Sequence, residues 1–263
     1  MLRLRSQRVV RLNLLGGLLG AIVWFQASGA RAGDSRMLSI DAGGPAPLAV
    51  VARILERRYG AVITYEDPVY ASDSDLIPYT GPPFMTTTPW GQRRIVRSTR
   101  LAFSYPVSAA TGQPEDLASV IQQAIDLHAS AGNPGRFRLA RDGAVLHIVP
   151  ERVQGRNGEW ENANPFLDAK LELPDVDRNL EDTIALIIGS VNHNTGSHIA
   201  SLQEPLNTER RIPFPRGVKE ESARDLLTRA VGQLPKKSSW TLRHEPRNGM
   251  MAFEIHEIAS RYN

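Results

Sequence analysis

Six histidines, His128, His147, His193, His198, His244 and His256, are the first side chains to weigh for chemistry. His193 and His198 stand close in sequence, and the Asn194-Thr195-Gly196 turn between them could bring both rings onto one metal ion. Zinc, however, needs three or more organised ligands, so the pair reads as a polar loop and a strand edge. His147 and His256 fall in the closing strands of two expected hairpins, where the pleat turns a side chain to solvent or to a core edge; both read as structural. The chain has no cysteine, which excludes thiolate metal sites, disulfides, a cysteine nucleophile and a cysteine-linked lipid anchor. Beyond residue 32 there is no Gly-x-Ser-x-Gly elbow, Ser-x-x-Lys, Walker loop or dinucleotide glycine pattern. The acidic pairs Glu115-Asp116 and Glu181-Asp182 sit in first helical turns, where they complement the helix dipole, and need no glycosidase role. The sequence therefore assigns no catalytic, metal-binding or cofactor-binding residue, and a non-enzymatic role is favoured.

Two stretches suit contact better than catalysis. A long irregular insertion, about 68–100, carries Tyr70, Tyr79, Phe84, Trp90, Arg93, Arg94 and Arg97. Long irregular loops are uncommon unless functional or disordered, and aromatics with arginine are the residues enriched at binding hot spots, so these seven form the candidate interaction surface. A shorter basic cluster, Arg210, Arg211, Arg216 and Lys219, reads as a solvated face or a contact for anionic lipid.

The elements that must position these residues come in two similar series. In the first, Leu38–Ala42 alternates as a strand, and Pro47–Tyr59 has apolar residues at helical spacing (Leu48, Val51, Ile54, Leu55) with Gly60 as its stop. Ala61–Tyr65 and Leu101–Tyr105 read as strands. A helix is expected from Pro114 to about Ala131, then a hairpin 137–149 turning at Asp142-Gly143. In the second, the expected order is strand 169–173, helix 180–191, strand 198–202, strand 211–214, helix 220–234 and a hairpin 239–258 turning at Asn248-Gly249. The polar stretch 151–165, rich in Gly and Asn, reads as a linker or covering loop. The expected fold class is α+β in two tandem halves, 33–150 and 166–263. Each half would hold small mixed sheets with amphipathic helices on one face, a βαβ plus a βαββ unit.

The N-terminus has the pattern of a secretory signal: a basic Met1–Arg11, an apolar Leu12–Phe25, then Ala30-Arg31-Ala32 with small residues at the −3 and −1 positions. Cleavage is expected after Ala32, and the apolar run is shorter than the roughly 18 residues a stable span needs. Residues 1–32 hold five arginines and no acidic residue, so the formal charge of +3 becomes about −2 on removal of the signal. A near-neutral protein has no general attraction for phosphate backbones, and nucleic acid is not expected as a partner. The mature chain is expected to be soluble in the periplasm or outside the cell, without a membrane span.

The segment "PLAVVARILERRYGAVITYEDP" resembles the short N-terminal domain of secretins and TonB-dependent receptors, a βαβ unit, through Leu48, Ile54, Leu55, Gly60, Val62, Ile63 and Tyr65. The helix-and-hairpin units 114–149 and 220–258 resemble secretin N-domains more loosely, and the chain is similar to uncharacterised exported bacterial proteins sharing "YGxxITYEDP". No channel or barrel domain follows, so the resemblance implies a periplasmic protein-interaction or scaffold module whose partner is another envelope protein. The alternatives are an enzyme acting on envelope polysaccharide or peptidoglycan, and a binder of an anionic ligand or lipid. Pairing of the chain with itself through strand edges is left open.

Overall fold

In a computed structural model, the structure describes residues 35–80, 87–88, 91–201, 211–214 and 217–259. The expected signal peptide, Phe84, Trp90, Arg210 and Arg216 lie outside the described residues. The fold is mixed α+β with four helices among the described residues, and Asp34–Asn263 forms one compact unit.

β1 (Ser35–Ala42) leads to α1 (Pro47–Tyr59), whose apolar stripe of Leu48, Val51, Ala52 and Leu55 is buried. Gly60 ends the helix at φ 64, the left-handed conformation that glycine adopts without a Cβ clash. β2 (Val62–Glu66) follows. The insertion contains three short ladder pieces, β3 (Leu76–Pro78), β4 (Thr87–Thr88) and β5 (Gly91–Gln92), before β6 (Arg94–Val96) returns against β3. β7 (Leu101–Ser108) pairs antiparallel with β1 along its full length. α2 (Leu117–Ser130) starts at Asp116, whose carboxylate accepts the amides of Ala118 and Ser119.

The first hairpin is β8 (Arg136–Asp142) and β9 (Val145–Gln154), and its turn differs slightly from the sequence expectation. Asp142 is the last paired residue, opposite Val145, so the turn residues are Gly143 and Ala144, with only Gly143 at positive φ. The stretch read as a linker is partly strand: β9 runs to Gln154, and β10 (Trp160–Asn162) folds back on it.

Next come β11 (Lys170–Leu173), β12 (Arg178–Asn179), α3 (Leu180–Thr195), β13 (Ile199–Ser201) and β14 (Pro213–Phe214). The helix expected over 220–234 is shorter: α4 is Ala223–Val231, and β15 (Val218–Ser222) precedes it. Helical periodicity continues into 220–222, but those residues pair with β11 through a bulge at which Glu220 takes φ 53; Ser222 then caps α4. The chain closes with β16 (Ser238–Glu245) and β17 (Met250–Glu257).

The largest sheet joins strands from both ends of the chain. β9 carries β8 on one edge and β2, then β10, on the other; β2 pairs parallel with β16, β16 antiparallel with β17, and β17 parallel with β13. Ladder partners share a face, and across the β2–β16 junction Tyr65 opposes Thr241 while Glu66 opposes Leu242. Ile63 and Tyr65 pack with α1 and α2; Trp240, Leu242 and Phe253 pack with α3 and α4. The helices of the first half therefore cover one face of the shared sheet, and those of the second half cover the other.

Candidate functional site

The insertion is held down by the side chains expected to project from it. Tyr70 is buried: its hydroxyl donates to Asp67 at 3.0 Å, its amide reaches His244 Nδ1 at 3.4 Å, and it forms a small core with Val96 and Val153. Arg94 donates to the Asp73 carboxylate at 2.7 Å and to the carbonyls of Asp73 and Leu76. Arg97 donates to the carbonyls of Ser74 and Gly132. Tyr70 and Arg97 thus tie the insertion to the body, and Arg94 braces it internally. Tyr79 is half-buried beneath the Arg93 guanidinium, 4.8 Å from the ring centre, and this pair is the part of the expected surface that the structure brings together.

Beneath the insertion, the Tyr65-Glu66-Asp67 segment forms a buried polar core. Asp67 accepts from the Tyr65 and Tyr70 hydroxyls and from the His244 amide, and burial pushes its carboxyl up to about 6 against those bonds. Glu66, on the opposite face, meets Arg224 of α4, which also holds Asp168. Burial raises the Glu66 carboxyl, and the Arg224 charge opposes that rise. Burial likewise holds His128, His147 and His244 down to about 4, so all three are neutral at pH 7. His147 shares a hydrogen bond with Thr64, and His128 meets the edge of Phe137. His193 and His198 are exposed, and no group of three metal-ligating side chains occurs among the described residues.

A different site was not singled out by sequence reasoning. A groove of about 350 Å³ runs between α1 and the β16–β17 hairpin. Its helical wall is Ala46, Ala49, Val50, Arg53, Glu56 and Arg57, the flank beside the buried stripe of α1. Its other wall is the face of the hairpin opposite Trp240 and Phe253, bearing Thr241, Arg243, Glu254 and His256. Glu56 is 1% exposed; one oxygen accepts the Ile63 amide at 3.1 Å, and the other meets His256 Nε2 at 2.7 Å. Arg53 donates to Glu254 at 3.0 Å, and Arg243 approaches the same carboxylate at 3.6 Å.

No family model matches this chain, and no curated protein or solved structure matches it either. The groove must be read from its own chemistry. Thr241 Oγ1, Arg243 Nε and His256 Nδ1 are buried polar atoms without a hydrogen-bond partner among the described residues, and all three belong to residues lining it. The Glu56 carboxylate fixes one nitrogen of the His256 ring, and the other faces the groove beside the Thr241 hydroxyl and the Arg243 Nε–H, a set of groups suited to a polar ligand. Nothing in the sequence pairs α1 with β17, because the contacts join residues about 200 positions apart.

Proposed function

We propose that this chain is an exported interaction module of the bacterial envelope, built from two copies of one α+β unit. The observation that carries the reading is a matched set of pairings. β1–β7, β2–β9 and β8–β9 are antiparallel, parallel and antiparallel; β11–β15, β13–β17 and β16–β17 repeat that set in order. The match extends to single residues. Glu56 precedes the left-handed Gly60 by four positions and accepts the Ile63 amide; Asn192 precedes the left-handed Gly196 by four and accepts the Ile199 amide at 2.7 Å. Because β8–β9–β2 runs opposite in direction to β16–β17–β13, a half-turn about an axis across the strands relates the copies, which accounts for their helices lying on opposite faces.

The βαβ portion of the first copy is the part that resembles the short N-terminal domain of secretins and TonB-dependent receptors, and the N-terminal signal pattern supports an envelope location. No helix among the described residues is long and apolar enough to cross a membrane. The Tyr79–Arg93 pair, on the exposed side of the insertion, is the proposed point of contact with an envelope protein. A photo-crosslinking residue at position 79, in cells of the source bacterium, is expected to give a discrete adduct that Arg93→Glu in the same chain weakens. Adducts no different from those of a probe at exposed position 182, on α3, would remove the reading.

A second reading, an enzyme acting on an envelope polymer, draws on the Glu56–His256 pair in the groove. It requires that purified peptidoglycan or envelope glycan release soluble fragments with the intact chain and not with His256→Gln.

A further inference from the structure

We infer that the groove between α1 and the β16–β17 hairpin binds the carboxylate of an aliphatic acid, with Arg243 and Thr241 as its donors and Ala46, Ala49, Val50 and Ile258 as the wall for the aliphatic stem.

A buried donor or acceptor without a partner costs about 1–3 kcal/mol, and native proteins leave few of them. Three such atoms gather at one groove: a hydroxyl, an imidazole nitrogen and a guanidinium N–H. Thr241 is 2% exposed and the His256 side chain 7%, so bulk water is a poor partner for either.

The chemistry of the missing partner follows from the carboxylates already present. Glu56 is taken by the Ile63 amide and His256, Glu254 by Arg53 and Arg243, and Glu257 by Lys236 at 2.7 Å. The carboxylate acceptors are thus engaged while the Arg243 and Thr241 donors remain; His256 Nδ1, across the ring from the Nε2–H that bonds Glu56, is an acceptor in the neutral ring and adds no donor. Arg243 Nε–H can only donate, Thr241 can donate, and Arg57, exposed at the rim, has its one bond among the described residues through Nε to the Arg53 carbonyl. An oxyanion is the group that satisfies this set.

Charge and size narrow it further. Three arginines and three glutamates line the groove, so it suits a single negative charge better than a phosphate dianion. A planar carboxylate also matches the guanidinium fork. The volume, about 350 Å³, is at the small end for ligand pockets and fits a short aliphatic acid or the last residues of a peptide. Both sources present the same group, a carboxylate on an apolar stem, and the inference stands whether or not the chain is an interaction module.

The test is a titration of the full chain followed through its arginine Nε–H resonances, with octanoate, an N-acetylated Leu-Ala dipeptide, the same dipeptide amidated, and inorganic phosphate. Saturable shifts of the Arg243 resonance with octanoate, with the free dipeptide or with both are expected, and the pattern tells acyl acid from peptide C-terminus. The amide and phosphate should have no such effect. Thr241→Val supplies the second arm. It should weaken binding roughly fivefold or more while leaving the melting temperature of the free chain unchanged or raised, because the hydroxyl it removes has no partner there. Absence of saturation, equal binding of the amidated dipeptide, or a lowered melting temperature in Thr241→Val would each overturn the inference.

Discussion

At the scale of single residues, the buried polar core ties stability to pH. Asp67 titrates near 6 in the folded chain and near 3.8 in the unfolded one, so the folded state holds the extra proton. Its contribution is most favourable below pH 3.8, is lost as pH rises toward 6, and is constant above. An Asp67→Asn variant cannot titrate there. Chemical denaturation of both proteins should show wild type losing about 3 kcal/mol relative to the variant between pH 4 and 6, an upper bound set by the two-unit shift. A difference that does not vary with pH would refute the assignment. The buried histidines act with the opposite sign. Their folded pKa of about 4 lies below the unfolded 6.5, so their contribution is full above 6.5 and is lost as pH falls toward 4. Replacing His128, whose Nδ1 has no partner among the described residues, by Leu should flatten part of that acid limb in the same denaturation series. None of this was legible from residue types. Tyr65 closes an expected strand with Glu66 and Asp67 just beyond it, and burial of the three comes from β16 lying beside β2 and from the insertion folding over them.

Elements were more legible than sites, and the reasons are local. The Pro47 start, the apolar stripe and the Gly60 stop fix α1 within its own thirteen residues, and the structure has it at those bounds. The start of α4 is set instead by β11, some fifty positions away, which draws Val218–Ser222 into a ladder and leaves a shorter helix than the periodicity suggests. Two glycines test how firmly these elements are placed. At Gly217, where β15 begins, a Cβ would lie 2.8 Å from the Asp175 amide and 2.9 Å from the Leu173 carbonyl, both backbone. Gly217→Ala should therefore force β15 away from β11 and cost about 1–3 kcal/mol. Gly189, inside α3 and exposed, has nothing within 4 Å of a Cβ. Gly189→Ala should stabilise by about 0.5–1 kcal/mol, because alanine loses less backbone freedom on entering a helix. Thermal melts of the two variants that shift in the same direction would show that one of these placements is wrong.

For the whole molecule, the consequential feature is that the halves share polar groups as well as a sheet. Glu66 of the first half faces Arg224 of the second; Asp67 takes the His244 amide; Ser239 donates to the Ile63 carbonyl; Arg53 and Glu56 reach Glu254 and His256. Removing one partner from a buried ion pair costs about 3–5 kcal/mol, because a charge is left without compensation. Arg224→Leu should accordingly destabilise the full chain by that order, and Glu66→Leu combined with Arg224→Leu by much less, since no buried charge then remains. The same reasoning extends to the halves themselves. Residues 35–165 alone would carry Glu66 and Asp67 at an open edge of β2, and residues 166–259 alone would carry Arg224 without Glu66. A domain of ordinary stability has about 5–15 kcal/mol in reserve, and losing several such contacts with the junction ladder consumes most of it. Each half made separately should therefore lack a cooperative thermal transition, whereas the full chain should unfold in one step followed equally by Trp240 fluorescence and by circular dichroism. Two resolved transitions in the full chain, or a half that melts cooperatively by itself, would mean that the two halves are independent modules joined only by sequence.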